Sequence, residues 1–164
     1  MHIEQKYESF KPLVNKDTEI LILGSLPSVK SLEFKEYYGH PRNRIWKILA
    51  YLINSEIPDT YKNKKQFLHD NGIGLWDVIK NANRQGSLDS NIKNETPNEI
   101  NKILEKFKSI KVIGFNGKKS EQLYHKYFDL NSNIHYKSLP SSSPANMSFN
   151  FEQISKKWSN LFRT

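Results

Sequence analysis

Short apolar runs bounded by turn residues alternate along this chain with segments whose apolar positions recur at helical spacing. Residues 18–24 (TEILILG) form one such run, the mark of a buried strand closed by a turn. Pro41 is a natural first helical residue, and Ile45, Leu49, Leu52 and Ile53 then supply one apolar helical face. Residues 61–71 (YKNKKQFLHDN) read as a short basic helix ended near Gly72, and residues 73–79 (IGLWDVI) as a second strand. Thr96-Pro97-Asn98-Glu99 opens a helix with apolar positions at Ile100, Ile103, Leu104 and Phe107. Residues 110–115 (IKVIGF) are a third strand, which Asn116-Gly117 turns into a helix over residues 118–127. A fourth strand covers residues 134–139, the loop PSSSPAN follows, and a last helix spans residues 151–162.

This alternation predicts an α/β fold with a mostly parallel, four-stranded sheet covered by helices on both faces. No repeat or linker interrupts it, so residues 1–164 read as one domain, long enough to bury a core. In a parallel sheet the strands' carboxyl ends share one edge, and ligands bind there. The unusual residues fall in four strand-end segments: GSLPS (24–28) with YYGHPRN (37–43), LWD (75–77) with RQGSLD (84–89), FNG (115–117), and LPSSSPAN (139–146). They therefore converge on one cleft although they are distant in sequence. Aromatic faces beside Arg and Asn donors suit a planar, hydrogen-bonding ligand such as a nucleobase. The turn GSLPSVKS lacks the glycines and the Gly-Lys-Ser order of a Walker loop, which excludes that phosphate-binding class.

Charge adds a partner class. The balance of 25 Lys+Arg against 17 Asp+Glu gives a net charge of +8, which is consistent with binding a phosphate backbone. Lysine runs such as Lys62-Asn63-Lys64-Lys65 and Lys118-Lys119 read as solvated faces rather than as a DNA footprint. The absence of cysteine removes disulfides, thiolate zinc sites and iron–sulfur clusters. The five histidines show no ligand spacing, so no metal site is expected. No membrane-length apolar run or signal peptide is present, and a soluble, cytoplasmic protein is expected.

Six segments in this order resemble the uracil-DNA glycosylase superfamily, specifically its hypoxanthine-DNA (deoxyinosine) glycosylase branch. They are GSxP with Ser31, YY-x-HPRN-x-x-W over residues 37–46, GIGLWDVI over 72–79, R-x-GSLD over 84–89, FNG, and LPSSSPAN. The resemblance covers roughly residues 18–160. The resemblance implies a three-layer α/β/α fold and cleavage of the bond between a damaged base and deoxyribose in DNA. Three positions depart from the family pattern. Ser28 stands where a glycine is usual and would be strained if the site needs positive φ. Residues 81–83 read NAN where the family often has a cysteine, and Leu139 stands where uracil-specific relatives place a histidine. The last departure argues against efficient uracil excision by that route.

The resemblance places the water-activating residue at Asn43, where an amide would hold water at C1′ through its carbonyl. The plain alternative is an Asn making local backbone bonds near a helix start. Base-binding roles fall to Gly24, Ser25, Tyr37, Tyr38, Asp77 and Asn116. One tyrosine stacks on the flipped base. Neighbours on an extended segment point oppositely, so only one should line the pocket and the other be core. Asp77 would accept from N1–H of hypoxanthine, or else cap the following turn. Asp89 with Arg84 reads as a structural ion pair or loop tie, and His40 as structural. DNA contacts fall to Arg42, Ser141, Ser142, Ser143, Pro144, Ala145 and Asn146. Ala145, Asn146 and Met147 would fill the gap left by the flipped nucleotide.

The expected activity is that of a monofunctional base-excision enzyme acting on deoxyinosine in DNA. It needs no cofactor, because water is the nucleophile, and it is expected to act as a monomer. Three alternatives stand beside it: a uracil or mismatch glycosylase, a non-catalytic nucleic-acid-binding module on the same fold, and a small nucleotide-binding α/β protein.

Overall fold

The computed structural model describes residues 5–163. Along them run β1 (Gln5–Glu8), β2 (Ile20–Gly24), α1 (Val29–Phe34), α2 (Ile45–Ile53), α3 (Tyr61–Asp70), β3 (Ile73–Asp77) and β4 (Ile79–Arg84). Then follow β5 (Lys93–Pro97), α4 (Ile100–Lys106), β6 (Val112–Asn116), α5 (Lys118–Tyr127), β7 (His135–Leu139) and α6 (Phe151–Trp158). The four apolar runs pair as one parallel sheet of order β3-β2-β6-β7. Leu21, Ile22 and Leu23 are fully buried, so consecutive residues of β2 are covered on both faces, as a central parallel strand requires. Helix α3 packs on β3, α5 on β6 and β7, and α2 on α6, giving a three-layer α/β/α arrangement. Among the described residues no helix is long and apolar enough to cross a membrane.

A second sheet has no counterpart in the apolar pattern. β1, β4 and β5 pair antiparallel in the order β1-β4-β5. The apolar run 73–79 is therefore two strands: it leaves the parallel sheet at Asp77, crosses at Val78 and enters the second sheet at Ile79. The crossing follows the exit of β2, because Val78 N donates to Gly24 O (2.8 Å) and Ile79 N to Ser25 O (3.1 Å). A short apolar run carries no mark of which sheet each half joins. β1 (QKYE) and β5 (KNETP) are polar and largely exposed, so they give no period-2 signal.

Two helix starts move and one helix is new. Pro41 lies in a turn, closed by Asn43 N donating to His40 O (2.9 Å), and α2 begins at Ile45. Thr96 and Pro97 end β5, and α4 begins only at Ile100. Ser28 caps an unanticipated short helix, α1. Its φ is −67° and its side chain accepts from Ser31 N, so serine in place of glycine is unstrained. The last helix is α-helical to Trp158 and finishes in a 3₁₀ turn over Ser159–Phe162.

Gly114 shows how tightly the sheet is packed. A methyl group there would lie 2.6 Å from Leu161 Cδ1 and 3.0 Å from Leu139 Cδ1. Gly114→Ala is expected to cost about 1–3 kcal/mol by overpacking, read by urea denaturation. An unchanged midpoint would mean that both leucines move aside freely.

Candidate functional site

All four strand-end segments open onto one cavity of about 620 Å³ at the carboxyl edge of the parallel sheet. Its walls include Ser25, Tyr37, Tyr38, His40, Asn43, Asp77, Asp89 and Asn116, with Ser141, Ser143, Pro144, Ala145 and Asn146 along one rim. No group of three or more potential metal ligands occurs among the described residues.

A buried relay fixes one wall. Asn116, at the end of β6, donates from Nδ2 to Ser142 Oγ (2.9 Å) and accepts from Ser142 N at Oδ1 (2.9 Å). Ser142 Oγ donates onward to Asn43 Oδ1 (2.8 Å), which also accepts from Ile45 N (3.0 Å). The relay forces two corrections. Ser142 is fully buried and its hydroxyl, N–H and carbonyl are all taken within the protein, which leaves it nothing to offer DNA; it bridges the serine loop to Asn43 and Asn116. The carbonyl of Asn43 is already engaged by two donors and so is not free to hold a water. Its NH2 makes no hydrogen bond among the described residues and is the part of the amide left for a ligand.

Arg44, which the sequence did not single out, braces the same loop. Its guanidinium donates to Phe149 O (2.8 Å) and Asn146 O (3.0 Å), and its N–H to Ser142 O (3.1 Å). Within the loop, Asn146 Nδ2 donates to Ser141 O, while Ser141 Oγ and Ser143 Oγ accept from the backbone N–H groups of Ser143 and Ala145. Beyond the rim Met147 is 90% exposed. Arg42 is exposed and borders a neighbouring cavity of about 340 Å³ with His40, Lys47 and Lys64.

The opposite wall is acidic. Asp77 is buried at the end of β3, and its carboxyl group makes no hydrogen bond among the described residues, so it caps no turn. Burial, and then the charge of Asp89, push its pKa up to about 7 against the pull of Arg84. Asp89 accepts from Ser25 Oγ (2.6 Å), and burial raises its pKa as well. Asp89 thus lines the cavity rather than pairing with Arg84. The fully buried Arg84 guanidinium instead donates to Pro27 O (2.6 Å) and Gly86 O (2.6 Å), holding two turns together. Gly24 supplies room: a methyl group there would lie 2.6 Å from Asp77 Oδ1 and 3.1 Å from the Tyr38 hydroxyl.

Both tyrosines border the cavity, contrary to the alternation expected of an extended segment. Tyr38 has φ 52°, in the left-handed region, so neighbouring side chains no longer oppose each other. The ring centroids are 6.4 Å apart. Tyr37 is buried, with its hydroxyl donating to Lys11 O (2.8 Å). The Tyr38 hydroxyl is buried without a hydrogen-bond partner among the described residues. Leu139, at the position of interest for uracil excision, is core, packed beneath Gly114.

Residues 11–162 match the family model of the Uracil DNA glycosylase superfamily. The chain is 40% identical over 157 residues to a Methanosarcina acetivorans protein named Hypoxanthine DNA glycosylase, covering 94% of this chain and 96% of that one. A Methanosarcina barkeri protein of the same name is 41% identical over 116 residues, 70% of this chain and 73% of its own. The fold also superposes on the solution NMR structure of a proposed uracil DNA glycosylase from Methanosarcina acetivorans. The TM-score is 0.79 and the identity 35%, covering 97% of this chain and 100% of the other.

The carboxyl of Asp77 yields a stability prediction. The native group holds its proton up to about 7, whereas the unfolded chain releases it at the ordinary aspartate value. Between the two the native state binds more protons, so this group lowers stability as pH rises through that window and has its full effect above it. Asp77→Asn is therefore expected to gain stability over the wild type between about pH 4 and about pH 8, measured by chemical denaturation. A difference that does not change with pH would show that Asp77 ionises like an exposed carboxylate.

Proposed function

The chain belongs to the uracil DNA glycosylase superfamily, and from that membership we propose a base-excision enzyme that hydrolyses deoxyinosine in DNA. Both named relatives are hypoxanthine DNA glycosylases, which favours hypoxanthine over the other deaminated bases. The packing of Leu139 into the core points the same way, because no histidine stands there to meet a departing uracil. The observation that carries the reading is the buried carboxyl of Asp77, unpartnered among the described residues, which shares with Asn43 a cavity roomy enough for an extruded nucleoside.

In this reading the deoxyinosine leaves the stack and enters the cavity, where its pairing edge is read. Ionised Asp77 accepts from N1–H, and Tyr37 and Tyr38 bound the ring. The C1′–N9 bond then breaks with its electron pair moving onto the base, leaving oxocarbenium-like charge on the sugar. Water adds at C1′ and gives up one proton, the departing base anion takes one up, and the products are free hypoxanthine and an abasic site. Such a transition state needs a well-placed water more than a strong base. Asn43 supplies the placement through its NH2, since its carbonyl is held by Ser142 and Ile45.

Arg42 and the rim of Ser141, Ser143, Pro144, Ala145 and Asn146 meet the DNA backbone, with Met147 beside the vacated stack. The enzyme works as a single-domain cytoplasmic monomer, with water and no metal or cofactor.

Release of free hypoxanthine from an inosine-containing duplex tests the reading. The wild type should release it, and Asn43→Ala should do so at least about 100-fold more slowly. Equal rates would remove Asn43 from the mechanism. No release from any deaminated base would refute the enzyme.

A further inference from the structure

Three features of Tyr38 are unexplained by packing or by a stacking role. Its backbone sits at φ 52°, a conformation that costs a bulky residue free energy and persists only where the surroundings enforce it. The Trp46 indole Nε1 donates to Tyr38 O (3.3 Å) in this turn. Its hydroxyl is buried and makes no hydrogen bond among the described residues, an arrangement that lowers stability unless a ligand completes it. That hydroxyl and Asp77 Oδ1 both crowd the space over Gly24, where only the missing side chain leaves room for them.

We propose that the Tyr38 hydroxyl and the Asp77 carboxylate act together as a reader of the lactam edge of the base, with Tyr38 donating to the C6 carbonyl and Asp77 accepting from N1–H. This rests on the glycosylase reading above and gives Tyr38 a polar role there. Deamination is the chemical change that such a pair detects. Adenine presents an acceptor at N1 and a donor at its 6-amino group, which sets a lone pair against the carboxylate and leaves the phenolic hydrogen without an acceptor at C6. Hypoxanthine presents the reverse, a donor at N1 and an acceptor at O6. A site built to hydrogen-bond a polar group rejects the analogue that leaves its own groups unpaired. Guanine carries the same lactam, so its rejection falls to whatever meets the 2-amino group. As the glycosidic bond breaks, the electron pair left on N9 is shared around the purine and reaches O6. The Tyr38 hydrogen bond therefore strengthens in the transition state.

Tyr38→Phe isolates the claim, because it keeps the ring and removes only the unpartnered oxygen. Single-turnover base release would be compared for wild type and variant on duplexes carrying deoxyinosine or deoxynebularine, whose purine lacks both O6 and N1–H. Melting temperatures would be taken alongside. The variant should lose about 10- to 100-fold on deoxyinosine. On deoxynebularine the two proteins should agree within about threefold, since the hydroxyl has nothing there to bind. Undetectable deoxynebularine release by both proteins supports the same conclusion, because it means that a base without the lactam is refused. The melting temperature should stay level or rise. Unchanged release on deoxyinosine, an equal loss on both substrates, or a sharply lower melting temperature would each overturn the proposal. Failure of the wild type to release hypoxanthine would instead refute the glycosylase reading on which it rests.

Discussion

One buried hydroxyl, Ser142 Oγ, holds the site together. It takes a hydrogen bond from Asn116 at the end of β6 and gives one to Asn43 just before α2, while its own N–H binds Asn116. Three segments far apart in sequence thus meet at a residue with no exposed surface. Breaking one member would strand buried polar partners, each at a cost of about 1–3 kcal/mol. The arrangement therefore stays whole or fails as a unit. Its chemical consequence is directional: with Oδ1 of Asn43 taken by Ser142 and Ile45, the NH2 is the half of the amide left without a partner among the described residues.

The opposite wall follows a different rule. There the Asp77 carboxyl and the Tyr38 hydroxyl are buried and left without partners, while Asp89 is tied to Ser25 and Arg84 is spent on backbone carbonyls. No cation pairs directly with either carboxylate among the described residues, which is why burial dominates the raised pKa of Asp77. One wall is satisfied and rigid, and the other waits for a ligand. A site that must grip a planar base for only part of its reaction cycle needs both.

Much of this was legible in the chain. The runs at Leu21–Leu23 and Val112–Phe115 mark buried strands because parallel strands are apolar on both faces. Their shared polarity then brings the segments carrying Asn43, Asp77, Asn116 and the serine loop to one edge. What escaped was set by contacts between distant residues. The antiparallel sheet is built from polar strands, so no periodicity reveals β1 or β5. Ser142 looks like its neighbours Ser141 and Ser143, and only the position of Asn116 sends it inward. Arg44 stands beside Arg42 with the same chemistry, yet one braces the loop and the other faces solvent. The left-handed turn at Tyr38 carries no glycine to announce it; Tyr37 is core, as one of the two tyrosines was expected to be, yet both border the cavity.

The most direct measurement is a crystal structure of the wild-type protein on a duplex containing 2′-fluoroarabino-inosine, whose fluorine opposes oxocarbenium formation and keeps the substrate intact. The account predicts an extruded base with O6 within hydrogen-bond distance of the Tyr38 hydroxyl, N1 facing the Asp77 carboxyl and C1′ beside the Asn43 NH2. A base left in the stack would contradict it, as would a base in the cavity with its N1–C6 edge turned away from Asp77 and Tyr38.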